Sequence, residues 1–299
     1  MIFSQWIIVV IIGHLFNAAA FIIDKYLLSK AIPKPKLYSF YIGMLGGLAV
    51  FLIPFGVKIL SLSLIFLSLA SGALFVLALY FFFSALKISE ASRIPALVGS
   101  LSPIIIFILS YVFLGERLAN NELYGFILLL LGGVLISVEK SKTRGGYAFR
   151  GLFKSLIAAL FFASSFVIAR YIFVNSDFIS GFVWTRFGGV LMALFYLCSA
   201  SFRRSLRTPR SQKRSTPFVL FAGQGLGALG FVAINYGISL KSVTLVNALQ
   251  SVQYIFLFAA ILLLSLFYPR IIRERISKGI IVQKLISLFL IGLGIFYLR

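Results

Sequence analysis

Phe126-Ile127-Leu128-Leu129-Leu130-Leu131 is an unbroken apolar row. A strand of a membrane barrel alternates lipid-facing residues with polar ones, so such a row belongs to a helix rather than to a barrel. Rows of the same kind recur through the chain. Crossing a hydrocarbon core of about 30 Å takes roughly 20 apolar residues in a helix. The windows that fit are 5–27, 38–57, 62–86, 94–114, 123–138, 152–173, 180–200, 217–238, 243–267 and 282–298. The expected fold is an all-α membrane protein of about ten transmembrane helices. The fifth window is short, and the connections leave no room for a soluble domain with its own activity.

Composition agrees. Of 299 residues, 61% are hydrophobic and 12% charged, where a soluble domain has about half and about a quarter. The one cysteine, Cys198, falls inside the seventh window, so a disulfide framework is excluded. Met1-Ile2-Phe3-Ser4-Gln5-Trp6 lacks the basic start of a secretory signal, and the first window is expected to be retained.

A formal charge of +21 raises the question of nucleic acid, and its distribution answers it. Lys25, Lys30, Lys34 and Lys36 follow the first window; Lys87 and Arg93 follow the third. Lys140, Lys142, Arg144, Arg150 and Lys154 surround the central connection. Arg203, Arg204, Arg207, Arg210, Lys213 and Arg214 follow the seventh window, and Arg270, Arg273, Arg275, Lys278 and Lys284 follow the ninth. The opposite side holds only Lys58, Arg117, Lys241 and Arg299. This alternation is the pattern of basic loops kept in the cytoplasm, and needs no nucleic acid. It predicts a multi-pass protein of the plasma (inner) membrane, with both termini outside. The basic loops are expected to meet anionic lipid headgroups.

The chain also repeats itself. Ala20-Phe21-Ile22-Ile23-Asp24-Lys25-Tyr26 matches Ser165-Phe166-Val167-Ile168-Ala169-Arg170-Tyr171 in character. Gly46-Gly47 in the second window parallels Gly188-Gly189 in the seventh, and Gly132-Gly133-Val134 parallels Leu293-Gly294-Ile295. Three matches in one order suggest a duplicated five-helix unit, residues 1–146 and 147–299. An odd number of crossings makes the second unit enter from the other side. The result is an inverted repeat, the architecture of transporters that alternate around a site between their halves.

Ser89-Glu90-Ala91-Ser92 through Pro103, ending in Phe113-Leu114-Gly115-Glu116-Arg117-Leu118, resembles the fourth helix of the EamA repeat. The whole chain resembles that family, part of the drug/metabolite transporter superfamily, with ten helices in two five-helix repeats. The resemblance implies a small-molecule transporter and gives Pro103, Gly115, Glu116 and Arg117 a structural role. The chain departs from the pattern where the ninth window ends in Leu266-Phe267-Tyr268-Pro269, and where Tyr254 stands in place of a proline. The resemblance implies cytoplasmic termini, whereas the charge distribution of this chain implies the reverse and is preferred.

Polar groups that persist inside a bilayer usually face a cavity or a partner helix. His14, Arg186, Asn235, Asn247 and Gln250 all fall in the half of the membrane nearest the termini if the windows alternate. Asn247, Gln250 (or Ser251) and Tyr254 share one helical face, suited either to a polar solute or to interhelical hydrogen bonds. Arg186 is suited to a carboxylate or phosphate; the alternative is snorkelling towards the interface. His14 suits proton coupling or plain packing, with Asn17 one turn on. Asp24 and Lys25 read as an interfacial pair. The glycines of the eighth window, Gly223, Gly225, Gly227 and Gly230, read as close-packing residues, and the many phenylalanines as lipid-facing bulk.

All seven acids lie at window ends or in loops. That disfavours exchange of protons for cationic drugs at a midplane carboxylate. No metal-ligand spacing and no phosphate-binding loop occurs, so no metal, cofactor or ATP hydrolysis is expected. The function expected is a secondary transporter or facilitator of a small polar metabolite, an amino acid or organic anion, working by alternating access. A non-transporting membrane scaffold subunit is one alternative. The other is a membrane-embedded enzyme acting on a lipid-linked group, for which His14 has no evident catalytic partner.

Overall fold

With no water to satisfy the backbone, a chain in lipid must close its own hydrogen bonds, and helices do so within a single segment. The computed structural model describes residues 5–27, 34–88, 93–137, 146–207, 216–267 and 278–299, and among these no strand occurs. Helix α1 is Gln5–Tyr26. Helix α2, Pro35–Leu45, tightens at Gly46 into a 3-10 helix that ends at Phe55. Helix α3 is Leu62–Ile88; α4, Arg93–Leu109, ends in a π-turn Ser110–Leu114; α5 is Asn120–Ser137. Helices α6, Gly146–Asn175, and α7, Phe178–Phe195, come next. A short helix α8, Ala200–Arg207, precedes α9, Thr216–Leu240; then follow α10, Val243–Ala248, α11, Gln250–Phe267, and α12, Lys278–Tyr297.

Among the described residues eight helical spans are long and apolar enough to cross a membrane, where about ten were expected. The other two windows appear as shorter apolar helices, Asn120–Ile136 and Val282–Tyr297. These two pack against each other along α5 and α12. A side chain added at Gly125 would meet the carbonyl of Gly294 and the side chain of Leu298; one added at Gly132 would meet Ile291 and Ser287. Small residues let the two short helices approach closely enough to pack backbone on backbone.

The same device joins other pairs. Helix α9 lies on α1: Gly223 faces Ile23, Gly227 faces Ala20, and Gly230 faces Gly13 and Asn17. Gly225 meets nothing within 4 Å, so the close-packing expectation holds for three of the four glycines of this helix. Helix α3 packs on α6 and α7. Between α3 and α6, Ser71 and Ser165 each donate to the other's carbonyl, at 2.8 and 2.9 Å. All six residues of α10 are buried, and α10 touches α4, α5, α6 and α9, which makes it the centre of the bundle.

Two features were not expected. The ninth window is interrupted at Leu249, between α10 and α11. The basic stretch after α7 begins as helix α8, with Phe202 buried against Tyr196 and Arg203 and Arg204 exposed. A basic amphipathic helix of this kind is suited to a membrane surface. Cys198, expected within a helix, lies exposed in the 3-10 turn that ends α7. Residues 89–92 and Tyr268-Pro269 lie outside the described residues.

Candidate functional site

Helix α7 starts on a well-formed cap. Asp177 accepts from the backbone N–H and the hydroxyl of Ser180, at 2.9 and 2.8 Å. Partial burial works against the Asp177 charge, but these two bonds and nearby Lys58 outweigh it and hold the carboxyl below its ordinary range. The cap starts α7 ahead of its sequence window, at Phe178, and sets Arg186 near the middle of the 21-residue span Phe178–Cys198. A guanidinium at that depth has no short route to the interface, so the snorkelling alternative fails.

Arg186 sits instead in a basket of rings. Its guanidinium carbon lies 4.0 Å from the ring centroid of Phe231 (α9), 5.0 Å from Phe75 (α3) and 5.6 Å from Phe182, one turn earlier in α7. Cation–π contacts of this kind are worth about 2 kcal/mol when shielded from water. The rings support one another: Phe75 meets Phe231 at 4.7 Å and Phe162 at 5.5 Å, and Phe182 meets Phe231 at 6.0 Å. The expectation that phenylalanines are lipid-facing bulk is therefore corrected for these. It stands for others, such as Phe51, Phe66 and Phe218, which are well exposed. Among the described residues Arg186 forms no ion pair, and its Nε has no hydrogen-bond partner. Rings soften the cost of the charge without neutralising it, and an anion would complete the site.

Two asparagines reach the same turn of α9. Asn17 of α1 packs where Gly230 leaves room, and Asn235 donates to the carbonyl of Phe231 at 2.9 Å. His14, one turn before Asn17, is buried, with Nδ1 3.3 Å from Oε1 of Gln253 on α11. The remaining candidates lie differently. Asn247 donates to Val243 O within α10 at 2.8 Å, and Gln250 is half-buried at the start of α11. The Tyr254 hydroxyl donates to Pro95 O at 2.9 Å and fills the space above Gly99. Tyr254, Ser251 and Pro103 line a narrow crevice between α4 and α11. The stripe Asn247, Gln250, Tyr254 thus divides between its own backbone and α4, while Arg186 lies on the Phe231 ring, Asn235 bonds the Phe231 carbonyl, and Asn17 meets the adjoining Gly230. Gln253, Phe75, Phe182 and Phe231 were not singled out from the sequence. Phe182 was within reach of sequence reasoning, since it stands four residues before Arg186 on the same helical face.

The end of α4 carries a second polar cluster. Gly115 adopts φ +64°, a left-handed conformation that suits glycine, and ends the helix. Glu116 then takes Arg170 Nε on one oxygen at 3.0 Å and the Ser242 hydroxyl on the other at 2.7 Å. Arg170 also donates to the carbonyls of Ile238 and Ser239, at 2.7 and 3.0 Å. One carboxylate thereby ties α4 to α6 and to the α9–α10 turn. Arg117 turns away, its guanidinium 6.0 Å from the Tyr111 ring. Asp24 accepts from Tyr38 and Gln224; the side chain of Lys25, its expected partner, lies outside the described ones.

The model of the EamA-like transporter family matches residues 4–138. Among solved structures, 28 chains match this one. One of them, described only as the crystal structure of a protein, superposes with a TM-score of 0.68 over 99% of this chain and 97% of its own. At 20% identity that likeness shows the fold alone. No curated protein gives a significant match. The helices and this match together make the chain an integral, multi-pass membrane protein whose residues 4–138 are similar to a transporter family.

Proposed function

We propose that this protein, whose residues 4–138 match the model of the EamA-like transporter family, is a member of that family and carries a small polar or anionic metabolite by alternating access. The two moving units are residues 1–146 and 147–299, ten crossings in two inverted repeats. The observation that carries the reading is Arg186, a mid-membrane cation among rings that no acid neutralises among the described residues. Such a group is costly in a bilayer unless it has work to do, and a carboxylate or phosphate is its natural counterpart. In this reading Asn17 and Asn235 orient the polar part of the solute, with His14 and Gln250 along the path. Asn247 and Tyr254 would support this site through α10 and α4.

The test is thermal stability of the purified protein against a metabolite panel, with wild type and Arg186→Ala side by side. A ligand at about 100 times its dissociation constant stabilises by about 2.7 kcal/mol. The expected result is an anionic compound that raises the Tm of wild type and leaves Arg186→Ala unmoved. A compound that shifts both proteins equally would remove Arg186 from the site, and a blank panel would favour a scaffold role.

We place the basic loops and α8 in the cytoplasm, against anionic headgroups, and the termini outside. Cys198 is the chain's one cysteine and is exposed at the α7–α8 junction. In intact cells a membrane-impermeant maleimide is expected to leave Cys198 unlabelled, and to react only after permeabilisation. Labelling of intact cells would reverse the orientation.

A further inference from the structure

Asp24 stands at the end of α1 nearest the basic loops. Its Oδ1 accepts from the Tyr38 hydroxyl of α2 and from Gln224 Nε2 of α9, the latter at 3.3 Å. Gln224 Nε2 also donates to the Tyr38 oxygen at 3.1 Å. Three helices, drawn from both halves of the chain, therefore meet on one carboxylate. Tyr38 is fully buried, edge-on to Phe83 with ring centroids 4.8 Å apart. Among the described residues Asp24 forms no ion pair.

Among the described side chains, the charged groups on the surrounding elements are otherwise placed or engaged. On α2, Lys36 lies over the rings of Tyr196 and Phe202, at 4.9 and 5.4 Å, and Lys34 is exposed. Lys87, at the end of α3, is exposed. Arg203 on α8 donates to the carbonyls of Leu197 and Cys198. The first turn of α9 carries no charge.

The joint that Asp24 closes differs from its counterpart. In the repeat, α2 corresponds to α7 and α9 to α3. Helices α7 and α3 are sealed by glycines, Gly72 facing Gly188 and Gly189. Helix α2 packs on α3 and α7, and its polar link to α9 is the Tyr38–Gln224 bond. Hydrogen bonds, unlike a glycine seam, open and close with the charge of their acceptor.

We infer that Asp24, Tyr38 and Gln224 form a proton site that doubles as a latch between α2 and the α1–α9 pair. The ionised carboxylate accepts charge-assisted bonds, roughly twice as strong as neutral ones, and holds α2 against α9. A proton taken from water at the basic end converts Asp24 to the neutral acid. The bonds from Tyr38 and Gln224 fall to neutral strength, and α2 is released. Loss of the proton to the same water restores the latch. The inference rests on the transport reading, because a solute path needs one end of the bundle to part.

The test measures the α2–α9 distance directly. Spin labels at Lys34→Cys and Phe218→Cys, in a Cys198→Ser background, report it in lipid nanodiscs from about pH 8 to about pH 4, a range that covers carboxylate titration. Wild type is expected to shift to longer distances as pH falls. Asp24→Asn is expected to show the long distance at every pH. Tyr38→Phe, which keeps the ring on Phe83, is expected to lengthen the distance at high pH. A distance in wild type that ignores pH, or a pH response that survives in Asp24→Asn, overturns the latch. The metabolite panel on wild type and Arg186→Ala is independent of this readout, so either idea can fail alone.

Discussion

Gly188→Val is expected to abolish accumulation of folded protein. A side chain at Gly188 would overlap the backbone of Leu69, and one at Gly72 would overlap the backbone around Thr185 and Gly189. Neither obstacle is the flexible end of a side chain, so relief requires α3 and α7 to move apart as units. Overpacking commonly costs about 1–3 kcal/mol, and more where backbone must shift. The loss would also strip Arg186 of its ring from α3, since the same seam brings Phe75 to it. Gly225→Val is the matched control, because nothing lies within 4 Å of that position. Fluorescence-detected size exclusion and Tm on the two variants decide the matter. A monodisperse, thermally ordinary Gly188→Val protein would mean that the seam is not as close as described.

Arg170→Ala is expected to cost more than Glu116→Ala, although they remove two ends of one ion pair. Side-chain exposures of 18% for Arg170 and 16% for Glu116 place the pair largely out of water. Removing one partner of a buried pair costs about 3–5 kcal/mol, since the survivor is left uncompensated. Partial exposure puts Glu116→Ala at the lower end. Arg170→Ala in addition orphans the carbonyls of Ile238 and Ser239. The nearby pair of Lys241 and Glu122, with Lys241 at 40% exposure, is worth at most about 1 kcal/mol. The expected order of Tm loss is Arg170→Ala, then Glu116→Ala, then Lys241→Ala. Equal losses for the first two would deny the carbonyl bonds any weight.

How far the sequence revealed this protein varies with the scale of the feature. Helix positions were legible because lipid makes hydrophobic run length decisive. The windows 62–86 and 243–267 lie within a few residues of α3 and of α10 with α11. Helix α8 was hidden by its charge, since Phe202 is the only large aromatic in an otherwise arginine-rich turn. Gly115 was legible as a motif, but its left-handed φ explains why a glycine stands there. The site was half legible. Arg186, Asn17 and Asn235 could be named because polar residues stand out against apolar helices. The rings around Arg186 could not, for hydropathy does not distinguish a phenylalanine facing lipid from one facing a guanidinium. Tyr38 and Gln224 were likewise invisible as a pair, being separated by most of the chain and joined only by packing.

The pairing of α1 with α9, α3 with α6 and α7, and α5 with α12 joins early-made helices to late-made ones. During synthesis, α1 must wait in the membrane, its Gly13 face uncovered, until α9 emerges from the ribosome. The same delay leaves Glu116 without Arg170 and Ser242 while most of the second half is still being made. Contacts this distant in sequence are slow to form and leave intermediates with unsatisfied surfaces. The chain therefore has a long adolescence, in which lipid or an insertase must shelter the glycine faces and the polar end of α4. Truncation after α5 would strand the molecule at that stage, so the two halves are expected to mature only together.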